Sequence, residues 1–145
     1  MEKLLGVFMK WTALFFTLVL WNVSFAGEHE GGTHTPNYCS TTNAKVCAHL
    51  RFDELPKTTS ASEFIVHVLS SSGAQVENMK VKLWMDMGNG HGHGSAPVVV
   101  SPLDELNHFY VQKAYFVMRG QWQVLVTFTE AGEAQKIIIP LDINE

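Results

Sequence analysis

The chain has 145 residues, a formal net charge of −4 and 46% hydrophobic residues, which is enough for one domain with a single apolar core. A mildly acidic chain without a basic cluster is a poor candidate for binding nucleic acid. All seven histidines and both cysteines follow residue 26.

Residues 1–26 have the three-part pattern of a cleavable secretory signal peptide. Two lysines precede an apolar stretch over residues 11–21. Ser24-Phe25-Ala26 follows, with small residues at the two positions that a signal peptidase reads. The stretch is shorter than the roughly 20 apolar residues of a membrane span, so an uncleaved membrane anchor is the less favoured alternative. We predict a periplasmic or secreted protein whose mature chain begins at Gly27.

Cleavage after Ala26 would leave Gly27, Glu28 and His29 at the new N-terminus. The free amine, two backbone amides and the His29 imidazole would form a square plane of four nitrogens, a geometry that suits Cu(II) or Ni(II). Residues 27–43 are rich in small and polar residues without periodicity, and we expect a flexible tail there.

Cys39 and Cys47 lie eight positions apart. In an oxidising compartment such a pair favours one disulfide that closes a small loop. A thiolate pair that binds a metal is the alternative, but the spacing matches no common zinc pattern. We therefore predict a disulfide.

Short segments of alternating polar and apolar residues follow, separated by turn residues. The predicted strands cover residues 44–52, 63–70, 79–87, 96–102, 106–118, 121–130 and 134–141, with turns at residues 71–73, 120 and 131–133. The alternation breaks near Gln112 and Lys113, which indicates a bulge or two strands. About seven strands predict an all-β fold, an immunoglobulin-like antiparallel β-sandwich over residues 44–145.

The most unusual stretch covers residues 85–94, which read MDMGNGHGHG. We predict a loop over residues 88–94, in which glycines let the backbone fold tightly around a small object. Imidazole suits copper and zinc, and thioether selects Cu(I), so a methionine and histidine mixture outside the cytoplasm indicates copper. Asp86 is the only carboxylate, which disfavours calcium and magnesium.

The candidate metal ligands are Met87, His91 and His93. Met85 is a weaker candidate because it falls on the inward face of its strand. His108 precedes a later strand and is a weaker, additional candidate. The alternative for the two loop histidines is that they are simply solvated.

Residues 84–93 and 115–124, which read WMDMGNGHGH and YFVMRGQWQV, resemble the YtkA-like and FixH-like exported domains. Those domains have one strand that ends in Met-x-Met-Gly-His or similar, and a second that ends in Met-x-Gly-x-Trp. The resemblance covers about residues 60–140. It implies an immunoglobulin-like sandwich associated with copper handling or cytochrome oxidase maturation.

The same resemblance implies ligand roles for Met87, His91, His93 and Met118. The chain departs from the family pattern by two residues inserted before the first histidine, which leaves open whether His91 or His93 binds. Because a sandwich gathers strand ends at its rims, Met118 would approach the glycine-histidine stretch if both lie at one rim. Trp122, which opens the next strand, is expected to be a core aromatic.

Two functions of different classes follow. The first is an exported copper-binding protein, a chaperone, buffer or resistance component, whose partner would be a membrane-bound copper transporter or an oxidase-assembly protein. The alternative is a non-catalytic interaction module that docks to a membrane or surface complex without metal. We expect no enzyme, because no catalytic triad stands out and Asp104 and Glu105 are interpreted as a solvated turn.

Overall fold

The computed structural model describes residues 31–144, in which all regular secondary structure is β-strand. This described part contains no helix long and apolar enough to cross a membrane. The predicted signal peptide and His29 lie outside the described residues.

Ten strands occur between residues 31 and 144. They are β1 (Thr33–His34), β2 (Tyr38–Cys39), β3 (Val46–Phe52), β4 (Ser62–Ser70), β5 (Val76–Gly88), β6 (His91–Gly94), β7 (Val99–Pro102), β8 (His108–Ala114), β9 (Gly120–Glu130) and β10 (Glu133–Ile143). Seven correspond to the predicted strands, and β1, β2 and β6 are additional strands of two to four residues.

The strands form two antiparallel sheets. One sheet has the order β1-β3-β4-β8-β7, with β2 also paired to β3, and the other has the order β10-β9-β5-β6. The inward side chains of both sheets belong to one buried cluster. The predicted antiparallel β-sandwich is therefore confirmed.

The core follows from strict alternation in the long strands. In β9, Trp122, Val124, Val126 and Phe128 are buried while the residues between them are not, because successive side chains of a strand point to opposite faces. Trp122 is completely buried, with 0% of its surface exposed. Its predicted role as a core aromatic is confirmed.

The predicted break in β8 is a β-bulge. Val111 pairs with Phe64 and Ala114 pairs with Ser62, so two residues of β8 face one residue of β4. The backbone at Lys113 has φ +59°, which accommodates the extra residue. The bulge changes the phase of the alternation, so that both Val111 and Ala114 are buried.

The N-terminal segment differs from the expected flexible tail. From residue 33 it lies along β3, to which both β1 and β2 are paired. Thr35 lies between β1 and β2. Its amide donates to the Leu50 carbonyl, and the Leu50 amide donates to its hydroxyl, each at 2.9 Å. Segments without periodicity still become ordered when a sheet edge satisfies their backbone groups.

The predicted disulfide is confirmed. Cys39 and Cys47 are direct cross-strand partners in β2 and β3, with an S–S distance of 2.04 Å. The alternative of a thiolate metal pair is therefore wrong, because both sulfurs are bonded to each other.

Candidate functional site

The expected loop over residues 88–94 is instead a β-hairpin. Asn89 and Gly90 have φ +51° and +78°, the two positive values of a type I′ turn. The Gly88 amide donates to the Asp86 carboxylate at 2.9 Å. Asn-Gly between strands is the strongest short-range hairpin signal in a sequence, and it identifies these two residues as the turn.

One glycine of the hairpin makes room for an aromatic ring. A Cβ on Gly92 would lie 2.6 Å from the Trp84 indole and would also collide with the Met85 carbonyl oxygen. The Lys82 ammonium lies 5.1 Å from the centroid of the same indole. Gly92 is therefore part of the packing on the outer face of this hairpin.

The histidines point to the opposite face from this indole. His93 is the direct cross-strand partner of Met85, and His91 lies two positions away, so both imidazoles share one face with Met85. A bulge between Asp86 and Gly88 leaves Met87 as the extra residue. Met87 is 57% exposed, so its thioether is available at the end of the hairpin.

Met85 has mainly a packing role. It is partly buried against the core, and its terminal methyl fills the space beside Gly120, where an added Cβ would lie 2.7 Å from it. The sequence predicted a turn at Gly120. Gly120 is instead the first residue of β9, with φ +127°. This partial burial agrees with the sequence-based interpretation of Met85 as a weaker candidate ligand.

The segment that carries Met118 comes to the same end of the sandwich as the hairpin. The Trp122 indole N–H donates to the Met118 carbonyl at 2.9 Å, and Trp122 is the cross-strand partner of Met85. The Ser95 hydroxyl, just after β6, donates to the Tyr115 carbonyl at 2.6 Å. Met118 is 39% exposed.

We call this end of the molecule the methionine rim; it comprises Met85, Met87, His91, His93 and Met118. The sequence predicted that Trp122 lies in the core. It did not predict that the indole N–H of Trp122 holds the Met118 backbone in place. The Met-x-Gly-x-Trp spacing was the available signal, because it places the indole four residues after the methionine.

The structure does not bring His108 to this rim. His108 begins β8, whereas Met118 follows the far end of that strand. The six residue-to-residue steps from His108 to Ala114 span roughly 20 Å at about 3.3 Å per step. His108 is therefore no additional ligand at the rim.

His108 instead belongs to a row of histidines on the outer face of the six-stranded sheet. His49 pairs with His67, and His67 pairs with His108. The ring centroids are 5.4 Å apart for His34 and His49, 4.9 Å for His49 and His67, and 3.9 Å for His67 and His108. Burial lowers the pKa of His49, and the neighbouring His34 and His108 lower it further.

The donor set at the rim is restricted to imidazole and thioether. Among residues 31–144, no three His, Cys, Asp or Glu side chains are grouped closely enough to hold a metal ion. Both cysteines are in the disulfide. The rim side chains offer thioether sulfur beside imidazole nitrogen, and thioether is the donor that selects Cu(I).

Comparison with family models, with characterised proteins and with solved structures finds no match to this chain. The resemblance to YtkA-like and FixH-like domains remains a hypothesis based on the two short motifs.

Proposed function

We propose that this chain is an exported copper-binding protein that holds Cu(I) at the methionine rim, as a chaperone, buffer or resistance component. The observation that carries the proposal is the β5–β6 hairpin, which places His91 and His93 on the face of Met85. Met87 and Met118 are exposed at the same end of the sandwich. The proposal assigns no catalytic role to the chain.

The chemistry of these side chains supports Cu(I) rather than a harder ion. Thioether is a soft ligand that selects Cu(I), whereas imidazole suits copper and zinc alike. An exposed site with few ligands also suits transfer, because a partner can approach the bound ion. The partner in this proposal is a membrane-bound copper transporter or an oxidase-assembly protein.

Competition for Cu(I) against a chromophoric chelator tests the proposal. Replacing both exposed methionines by leucine (Met87→Leu, Met118→Leu) preserves apolar volume but removes both sulfurs. We expect Cu(I) affinity to fall at least tenfold, about 1.4 kcal/mol. A His91→Asn/His93→Asn variant should show a loss of similar size.

Met79→Leu is the matched control. Met79 lies on the same strand but packs against the core, so its replacement should leave Cu(I) affinity unchanged. Equal affinity in the wild-type chain and in the combined rim variant would contradict the proposal.

One observation favours the alternative of a metal-free interaction module. Tyr115 and Val117 are 43% and 57% exposed in the segment that leads to Met118. Exposed apolar side chains that lie together mark docking surfaces. Unchanged Cu(I) affinity in the rim variants, together with loss of partner binding in Val117→Ser, would support this alternative.

Export is a separate part of the proposal. The signal-peptide pattern of residues 1–26 and the disulfide both fit an oxidising compartment. N-terminal sequencing of the secreted protein tests the cut after Ala26. If the mature chain begins at Gly27, a His29→Ala variant should lose the visible absorbance band of a four-nitrogen Cu(II) site.

A further inference from the structure

The outer face of the four-stranded sheet has positive charge at one end and negative charge at the other. Lys80 and Lys136 are exposed and flank Thr127, which is the cross-strand partner of both. Six residues further along β5 and β10 are Asp86 and Asp142, which are also exposed. Both strands are antiparallel to β9 and therefore run in the same direction. The two lysines accordingly lie at one end of this face and the two aspartates at the other.

Apolar side chains occupy the middle of the same face. Ile138 is 39% exposed, and its cross-strand partner Leu125 lies partly buried beside it. The next row contains the exposed Pro140 and the Trp84 indole, over which the Lys82 ammonium lies. On this side β6 has only the glycines at positions 92 and 94, so it adds no side chain that would keep another molecule away.

This arrangement is symmetric about one cross-strand row. Leu83, Val124 and Ile139 are partners in adjacent strands, and we call them the central row. In both β5 and β10, the lysine precedes the central row by three residues and the aspartate follows it by three. A half-turn about an axis above the face and parallel to this row reverses the direction of every strand and sets each strand opposite its own copy. It therefore sets the lysine end opposite the aspartate end.

We propose that this face is the interface of a symmetric dimer, in which a second copy of the chain packs against it about that axis. Lys80 of one copy then faces Asp86 of the other, and Lys136 faces Asp142, so that each pair occurs twice. The apolar side chains of the two copies meet between the charged ends. The same surface patch on both subunits is what a twofold interface requires.

The charges select this orientation over the other way of stacking two such sheets. A twofold axis parallel to the strands would set lysine against lysine and aspartate against aspartate, which is unfavourable. Exposed ion pairs contribute little affinity each, but they determine which arrangement of two surfaces is preferred.

The size of the face indicates a weak dimer. Seven residues at about 3.4 Å and four strands at about 4.8 Å cover roughly 400 Å² of each copy in projection. This is at the small end of specific interfaces. We therefore expect a dimer that dissociates on dilution.

Sedimentation equilibrium of the purified chain over a range of concentrations tests the dimer. We expect a monomer–dimer equilibrium that weakens as salt is raised, because exposed charges are screened. Lys136→Glu should raise the dissociation constant at least tenfold, and so should Asp142→Lys, since each sets like charges against one another. Lys57→Glu is the matched control, because it makes the same charge change at an exposed position between β3 and β4 and should leave the dissociation constant unchanged.

Two rescue experiments separate the interface from damage to the fold. The Lys136→Glu/Asp142→Lys double variant exchanges the two charges and should dimerise as the wild type does. Mixing the two single variants should give a heterodimer, because each supplies the charge that the other lacks. A chain that stays monomeric up to about 1 mM, equal dissociation constants for Lys136→Glu and Lys57→Glu, or no recovery in the double variant would overturn the proposal.

Discussion

Glycine alternates with histidine in β6 because the two faces of this strand have different neighbours. On one face the Trp84 indole covers Gly92 and leaves no space for a side chain. On the other face His91 and His93 project beside Met85. From the sequence alone, the glycines suggested a tight loop, whereas the structure gives them two separate roles, in the turn and under the indole.

We predict that Gly92→Ala destabilises the protein by about 1–3 kcal/mol, because overpacking a filled site forces neighbouring groups to move. Gly94→Ala is the control, since the atom nearest to its added Cβ would be 3.8 Å away, an ordinary contact. Chemical denaturation measures both free energies of unfolding. Equal stability of the two variants would show that the indole does not cover Gly92 in solution.

At the level of elements, β3 is the strand on which the N-terminal segment is assembled. One edge of β3 pairs with β4, and the other pairs with β1 and β2. Strands of two residues bury little apolar surface, so β2 depends on the disulfide between Cys39 and Cys47. The disulfide thereby holds residues that would otherwise behave as the flexible tail expected from composition.

We predict that the Cys39→Ser/Cys47→Ser variant loses about 2–3 kcal/mol of stability, the chain-entropy estimate for a loop of this length. Hydrogen exchange should show lost protection in residues 33–39 and retained protection in β9. Unchanged protection of residues 33–39 would mean that backbone pairing alone orders them.

At the scale of the whole molecule, polar contacts join the two sheets at their ends. The buried Glu130 at the end of β9 accepts hydrogen bonds from Ser70, at 2.5 Å, and from Ser72. Ser40 donates to Gln135 of β10 at 2.8 Å. The hydrogen bonds from Ser70 and Ser72 hold the pKa of Glu130 below its usual value, against the opposing effect of burial.

This lowered pKa predicts how stability depends on pH. A carboxyl group whose pKa is lower in the folded state stabilises the fold above its unfolded pKa, and this contribution disappears as pH falls through the folded value. Glu130→Gln should therefore reduce stability at pH 7, with a difference from wild type that shrinks below about pH 4.5. Urea denaturation across this range measures the effect.

The exposed Glu77 provides the control for this series. Glu77→Gln removes the same charge from a neighbouring strand without the serine hydrogen bonds, so its stability difference should stay small at every pH. A Glu130→Gln difference that does not change with pH would contradict the assigned cause.

Alternation of polar and apolar residues was enough to predict the sandwich and seven of the ten described strands. It also predicted the break near Lys113, for which a bulge was one of two interpretations. The disulfide followed from the spacing of two cysteines and their expected compartment. These features depend on neighbours along the chain, since side chains of a strand alternate between faces with a period of two. The Asn89-Gly90 signal for a hairpin turn is equally local, but these residues were interpreted as part of a metal-binding loop.

Only the tertiary structure decided which distant residues became neighbours. His49, His67 and His108 form a row because strand order and register place them opposite one another, and each appeared isolated along the chain. The approach of the Met118 segment to the hairpin likewise required the buried Trp122 and its hydrogen bond. Periodicity determines which face a residue occupies, whereas pairing between strands far apart in sequence determines what lies beside it.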